Sequence, residues 1–425
     1  MEQTPKANRV HIGFFGRCNA GKSTLINMLT DQPVSLVSEV AGTTTDPVSK
    51  SMEILPLGPV VITDTAGIDD TSELGALRIE KSEEIIKKIN LAVYVLRNDE
   101  APTADDMIWL NTLKQNNVPI ALFINEINAS DSESAHDNDS NGNDTNLNYV
   151  DAYPDLSAIA TVVGSTDFTS NRDRLTLLDL LGGLTPLDVE GEQSLLQGLV
   201  DPGDTIILVC PIDSAAPKGR LILPQVQTIR EILDHKGLAL VCQTEELPTM
   251  LNKLSQKPKL VITDSQAFEA VNALTPADIP LTSFSILMAR FKGKLLDLVT
   301  GVKALNNLKP GARVLISEGC THRRQCDDIG TVKIPMWLKK KGYTDLQLEF
   351  TSGGAFPKDV SGYDLIIHCG ACMLTRREVL RRIDCAVVQG TPIVNYGVLI
   401  ASLHGILERA ISPFMDELDR KGFEC

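Results

Sequence analysis

Two stretches of the chain carry residue types and spacings that do chemistry. "GRCNAGKS", Gly16 to Ser23, satisfies G-x-x-x-x-G-K-[ST] and stands between an apolar run and a helical pattern, the context in which that motif forms a phosphate cradle. Its glycines let backbone N–H groups close around phosphate oxygens, Lys22 reaches the β and γ oxygens, Ser23 holds Mg2+, and the helix N-terminus adds a favourable dipole. The second motif is split: Cys320-Thr321-His322 and His368-Cys369-Gly370-Ala371-Cys372 give C-x-H…H-C-x-x-C with 45 residues between the histidines. Soft thiolates of this kind suit zinc or an iron–sulfur cluster, and ligand type alone does not choose between them.

The cradle has later companions. "DTAG", Asp64 to Gly67, follows VVIT at a strand end, the place for a carboxylate that touches Mg2+ through water and a Gly amide that senses the γ-phosphate. In "AGTTTD", Ala41 to Asp46, Thr44 is placed to close over the metal with Ser23. The nucleotide-contacting set is then Gly16, Asn19, Ala20, Gly21, Lys22, Ser23 and Thr24, with Lys22, Thr44, Asp64 and Gly67 serving hydrolysis. These motifs resemble the translation-factor-like small GTPases, in the branch with Asn in the P-loop and a Gly-Thr-Thr switch, as in tRNA-modification and ribosome-assembly GTPases. The resemblance implies that Asn19 helps bind K+. Ile68 follows DTAG where Ras-type enzymes place a water-orienting Gln, so slow intrinsic hydrolysis is expected. The guanine-reading Asn-Lys-x-Asp stands here as Asn125-Glu126-Ile127-Asn128. An Asp accepts from both guanine N–H groups, whereas the amide of Asn128 offers one acceptor and turns a donor toward a donor. GTP is expected, with weaker affinity or relaxed base choice. The last base-contacting loop is expected at "GSTD", Gly164 to Asp167.

Both halves of the thiol motif follow apolar runs, ARVLISEG and YDLIIHC. Parallel strands open their carboxyl ends on a common edge, so two distant half-motifs can meet there. Thr375-Arg376-Arg377-Glu378 reads as a capping box, pinning the C-x-x-C between strand end and helix start. Neighbouring residues of an extended segment point to opposite faces, so His368 and Cys369 serve together only if the backbone turns. Cys320, Cys369 and Cys372 are therefore the expected ligands. A fourth position falls to His322, His368, another domain such as Asp213 at the end of TIILVCPI, or solvent.

These sites need elements to hold them. RVHIGFF, VVITD, LAVYVL and VPIALFIN alternate with helical patterns near Ser23 to Leu29 and Leu74 to Lys88, which predicts a mainly parallel sheet. Asn128 to Asp151 is acidic, polar and poor in aromatics, a flexible surface insert. After a linker near Thr185 to Gly203 a second βα series runs from TIILVCPI, with a helix from Leu221 to Asp234. A third begins near Pro280 with the runs SFSILMARF, ARVLISEG, YDLIIHC, CAVVQG and PIVNYG. The fold class read from this is α/β: a P-loop GTPase domain (1–185) followed by two smaller α/β domains (186–278 and 279–425). Apolar residues at 222, 226, 229, 232 and 233 form a stripe expected to pack on its own sheet.

Forty Lys and Arg against 55 Asp and Glu leave a net charge of −15, which argues against a nucleic-acid binder because phosphate neutralisation needs a basic face. No apolar run reaches membrane-spanning length and the start lacks a secretory pattern, so no membrane is expected and the cytoplasm is the expected compartment. Nine cysteines in such a chain read as buried thiols, or metal ligands where clustered, rather than a disulfide framework.

The two motifs together resemble the HydF family, the maturation GTPases of [FeFe]-hydrogenase. The likeness covers nearly the whole chain, including PIDSAAPKGRLILPQVQ from Pro211 to Gln227, with mismatches at the guanine element and the acidic insert. It implies a central dimerisation domain, hence a homodimer or higher oligomer. It implies a C-terminal domain holding a [4Fe–4S] cluster through three cysteines. It also implies a carrier that receives a two-iron precursor built with radical-SAM maturases and delivers it to apo-[FeFe]-hydrogenase. Competing readings are a tRNA-modifying GTPase, which would want a basic face, and a GTPase switch with a structural zinc.

Overall fold

The structure, a computed structural model, describes residues 9–30, 48–54, 57–64, 85–126, 152–166, 171–184, 194–212, 221–319 and 328–422. Thr44, Gly67, Ile68, Asn128, the acidic insert, Asp213, Cys320 and His322 lie outside them. The chain divides into two compact units, residues 1–191 and 192–425.

In the first unit β1 (Val10–Phe15), α1 (Lys22–Thr30), β2 (Val48–Ile54), β3 (Gly58–Asp64), β4 (Leu91–Arg97), α2 (Ala104–Gln115), β5 (Ile120–Asn125), β6 (Val162–Thr166) and α3 (Asn171–Leu184) follow in order. The sheet order is β2-β3-β1-β4-β5-β6. All pairs are parallel except β2 with β3. Strands β1 and β4 read as largely apolar runs because both faces are covered. Val10, Ile12, Phe14, Val93 and Val95 enter one core with Leu25 of α1 and Leu181 of α3. Their alternate neighbours Phe15, Tyr94 and Leu96 enter the other with Trp109 and Leu110 of α2. The two-residue period of a strand thus divides one sequence between two cores, the doubly wound arrangement that the apolar runs predict.

The second unit carries two further four-stranded parallel sheets, ordered β10-β9-β7-β8 and β12-β11-β13-β14. The first is built from β7 (Thr205–Val209), α4 (Leu223–Asp234), β8 (Leu238–Cys242), β9 (Leu260–Thr263) and β10 (Leu281–Ser283), which runs into α5 (Phe284–Lys292). The second is built from β11 (Arg313–Ser317), β12 (Gln347–Thr351), β13 (Leu365–His368), α6 (Arg376–Val388), β14 (Ile393–Asn395) and α7 (Tyr396–Leu403). One continuous core runs through both sheets, from Leu195 to Leu418. Helix α5 belongs to both layers, touching α4 on one side and α6 and α7 on the other.

Four details depart from the sequence reading. SFSILMARF is a helix, not the strand its apolar run resembles: the Ser283 hydroxyl caps it by accepting from Ile286 N, and its nine residues are buried nearly all round. CAVVQG is not a strand either; its first four residues are the last turn of α6. Edge strand β12 was not anticipated, because its half-exposed sequence QLEFT lacks an apolar run. The apolar stripe of α4 turns largely outward: Ile232 is buried, but Ile222, Val226 and Leu233 are exposed, and Gln225 and Thr228 take inward positions. No helix among the described residues is long and apolar enough to cross a membrane.

Asp106 shows how the first unit keeps a charge inside. Fully buried, it accepts from Tyr94 Oη (2.8 Å), Thr103 N (2.8 Å) and Thr103 Oγ1 (2.7 Å), and lies 3.4 Å from Arg17 Nε. Asp106→Ala leaves those donors without an acceptor and is expected to cost about 2–4 kcal/mol in urea unfolding. A cost below about 0.5 kcal/mol, the range of ordinary surface changes, would show that the network is dispensable.

Candidate functional site

The phosphate cradle grows out of β1. Gly16 leaves the strand at φ +133°, and a Cβ there would stand 2.4 Å from the Val95 carbonyl oxygen of β4. Only glycine lets the loop pass so close to the neighbouring strand. Asn19 (φ +61°) and Gly21 (φ +102°) complete the left-handed turns before α1 begins at Lys22. The Lys22 ammonium lies across the loop, donating to the carbonyls of Gly16 (2.8 Å) and Arg17 (2.7 Å). Ala20 is buried, while Asn19, Ser23 and Thr24 are exposed at the mouth.

Asp64 ends β3 directly beside Phe14 of β1. Its Oδ1 is buried with no hydrogen-bond partner among the described residues. Burial raises its pKa, and the nearby Lys22 charge pulls the other way. A buried carboxylate oxygen left bare beside a phosphate loop fits a hydrated Mg2+. Asn125 at the end of β5 donates from Nδ2 to Ala20 O (3.1 Å), tying the end of that strand to the cradle. Gly164 lies in β6 opposite Phe123. Arg17 escaped the sequence reading, since the motif leaves its position open. It braces the loop through Glu100 (2.8 Å) and the Ala101 carbonyl (3.3 Å).

The thiol site forms where β11 and β13 end side by side, with Ser317 opposite His368. Cys369 N donates to Ser317 O (3.0 Å), and the Cys369 sulfur accepts from Gly319 N (3.0 Å) and Ala371 N (3.4 Å). Gly319 immediately precedes Cys320, so the backbone leading into one half-motif is bonded to the sulfur of the other. Ala371 takes φ +56°, the local turn that lets the chain fold back over Cys369. Burial pushes the Cys369 thiol up to about 11, against the two backbone donors, and raises Cys372 against the nearby Lys292 charge. In the absence of a cation both are thiols at neutral pH. Backbone N–H groups aimed at cysteine sulfurs are the support that thiolate ligands of iron need, so the described residues fit such a group. Among the described residues alone, no three His, Cys, Asp or Glu side chains gather as a metal site.

His368 is buried and both ring nitrogens are engaged, Nδ1 2.9 Å from Cys369 O and Nε2 3.3 Å from Arg382 Nη1. Arginine can only donate, so Nε2 accepts and Nδ1–H donates to the carbonyl. Burial and the Arg382 charge push its pKa down to about 4, keeping it neutral. Arg382 is itself fully buried and held by Glu378 (2.7 Å) and Ser317 Oγ (3.4 Å). Thr375 caps α6 by accepting from Glu378 N, as the capping signature predicts. The Glu378 carboxylate, however, turns to Arg381 and Arg382.

Residues 195–293 match the Hydrogen maturase F dimerization domain, residues 296–413 the Hydrogen maturase F tetramerization domain, and residues 11–126 the 50S ribosome-binding GTPase. Among curated proteins the chain is 31% identical over 121 residues to the tRNA modification GTPase MnmE of Endomicrobium trichonymphae, covering 28% of this chain and 26% of that protein. It is 36% identical over 99 residues to GTPase Der of Wolinella succinogenes, covering 23% and 20%. The chain thus spans about a quarter of the length of these relatives. Among solved structures, Era of Aquifex aeolicus bound to GDP.AlF4- matches at 20% identity and TM-score 0.33, covering 54% of this chain and 91% of that one. The N-terminal unit is a P-loop GTPase domain, and the two maturase domains together cover just over half of the chain. The chain belongs to the HydF family of hydrogenase-maturation GTPases, a GTPase domain joined to dimerization and tetramerization domains.

Proposed function

We propose that this protein is a GTP-hydrolysing scaffold that holds a [4Fe–4S] cluster through Cys320, Cys369 and Cys372. In this reading it accepts a two-iron precursor as cargo, made with radical-SAM maturases, and delivers it to apo-[FeFe]-hydrogenase. One observation carries the reading: the Cys369 sulfur accepts the N–H of Gly319, the residue before Cys320, within the segment matching a maturase domain. Bound there, the cluster would supply an iron with an exchangeable fourth position. His322, Asp213 or solvent would take that position, because both nitrogens of His368 are engaged. Assembly of copies is supported by the apolar surface of the second unit, where Leu238 and Val241 on edge strand β8 and Val226 and Leu233 on α4 are exposed.

At the nucleotide end, Lys22 and the loop amides would hold the β and γ phosphates, and Ser23, Thr44 and Asp64 the hydrated Mg2+. The Gly67 amide would sense the γ-phosphate. Asn125 and Asn128 would face the base, with GDP leaving after turnover. With Ile68 unable to orient water, positive charge beside the phosphates carries more of the catalysis, and Asn19 at the exposed mouth is the residue to hold K+. The nucleotide cycle would govern partner exchange rather than iron chemistry.

Lys22→Ala is expected to slow GTP hydrolysis by about a hundredfold or more while iron content after anaerobic reconstitution stays at the wild-type level. Cys369→Ser should do the reverse, losing iron but keeping hydrolysis and failing to activate apo-hydrogenase. Normal iron in that variant would contradict the ligand assignment. Hydrolysis should run faster in potassium than in sodium salts at equal ionic strength; equal rates would remove the role given to Asn19.

A further inference from the structure

The last residue of α5, Lys292, is only 2% exposed, and no part of the nucleotide or thiol motifs includes it. Its ammonium donates to three carbonyls of one loop, those of Ala371 (3.4 Å), Cys372 (3.0 Å) and Leu374 (2.8 Å). Three donors meet three acceptors, so the charge is held without a carboxylate partner. That is a costly way to bury a lysine unless its position matters.

The loop shows what the position does. In a trans peptide the C=O and N–H point in opposite directions. The carbonyls of Ala371 and Cys372 face Lys292, so the N–H groups of the same two peptides, on Cys372 and Met373, face the other way. Lys292 also belongs to the dimerization-domain segment, whereas the loop it grips belongs to the tetramerization-domain segment. The residues before it are clamped as well. Arg290 bonds Glu417 (2.7 Å) and the Gln197 carbonyl (2.9 Å), and Phe291 O accepts from Arg376 Nε (3.3 Å).

We propose that Lys292 is the positioning residue of the thiol loop. It fixes the orientation of the two peptides that flank Cys372 and places a positive charge behind the thiolates. The inference rests on the cluster reading above. A thiolate-ligated iron–sulfur cluster is anionic, and nearby positive charge and N–H donors to sulfur favour its retention and make it easier to reduce.

The test compares wild type, Lys292→Met and Lys292→Arg after anaerobic reconstitution with iron and sulfide, with far-UV circular dichroism and elution volume as checks on the fold. Iron release to a chelator and the midpoint potential from an EPR-monitored titration are read for each. Lys292→Met should release iron about tenfold faster or more and show a more negative potential, with the potential recovered in Lys292→Arg. A folded Lys292→Met with wild-type release and potential would overturn the proposal. Should Lys292→Met not fold, Lys292→Gln removes the charge while keeping an N–H donor, and an unchanged potential there would overturn it equally. A wild type that takes up no iron would instead sink the cluster reading and this inference with it.

Discussion

A parallel strand pair delivers the loops that follow its two strands to one edge of the sheet, and both sites of this chain depend on that geometry. The pairing of Phe14 with Asp64 sets the Asp64 carboxylate beside the start of the phosphate loop. The pairing of Ser317 with His368 sets the approach to Cys320 beside Cys369. In each case residues some fifty apart in sequence are brought together by register, and a one-residue slip would turn them to opposite faces. The cores that fix the register are made of alternating apolar residues with no chemistry of their own.

The second common feature is buried charge held by hydrogen bonds at each strand end. Lys22 spans the phosphate loop through two carbonyls. Lys292 spans the thiol loop through three. Arg382 joins Ser317, His368 and Glu378 under the same sheet edge. Such groups are costly unless fully satisfied, and in return they fix loops of otherwise irregular backbone. A single acidic chain thus carries a phosphate loop and a thiol loop, each stiffened locally by its own cation.

The phosphate loop was legible because its residues are consecutive and each has a separate task, down to the glycine that no Cβ could replace at position 16. Of the split thiol motif, the legible part is that both halves follow apolar runs that form the neighbouring parallel strands β11 and β13; Cys320 and His322 lie outside the described residues. What stayed hidden is tertiary. SFSILMARF and CAVVQG look like strands because a short apolar run cannot distinguish a buried helix from a buried strand. Lys292 and Arg382 match no motif, since their roles come from carbonyls and side chains distant in sequence. The outward stripe of α4 reads as a core face until Gln225 and Thr228 are seen to occupy the inside.

The central claim is that the thiol edge holds an iron–sulfur cluster. Anaerobic reconstitution of the full chain with iron and sulfide, followed by an absorption spectrum and EPR of the dithionite-reduced protein, tests it most directly. A brown protein with a broad visible band and a reduced-cluster signal, both lost in Cys320→Ser, is expected if the three cysteines hold the cluster. A colourless protein with stoichiometric zinc on the same cysteines would contradict it and leave a GTPase with a structural metal.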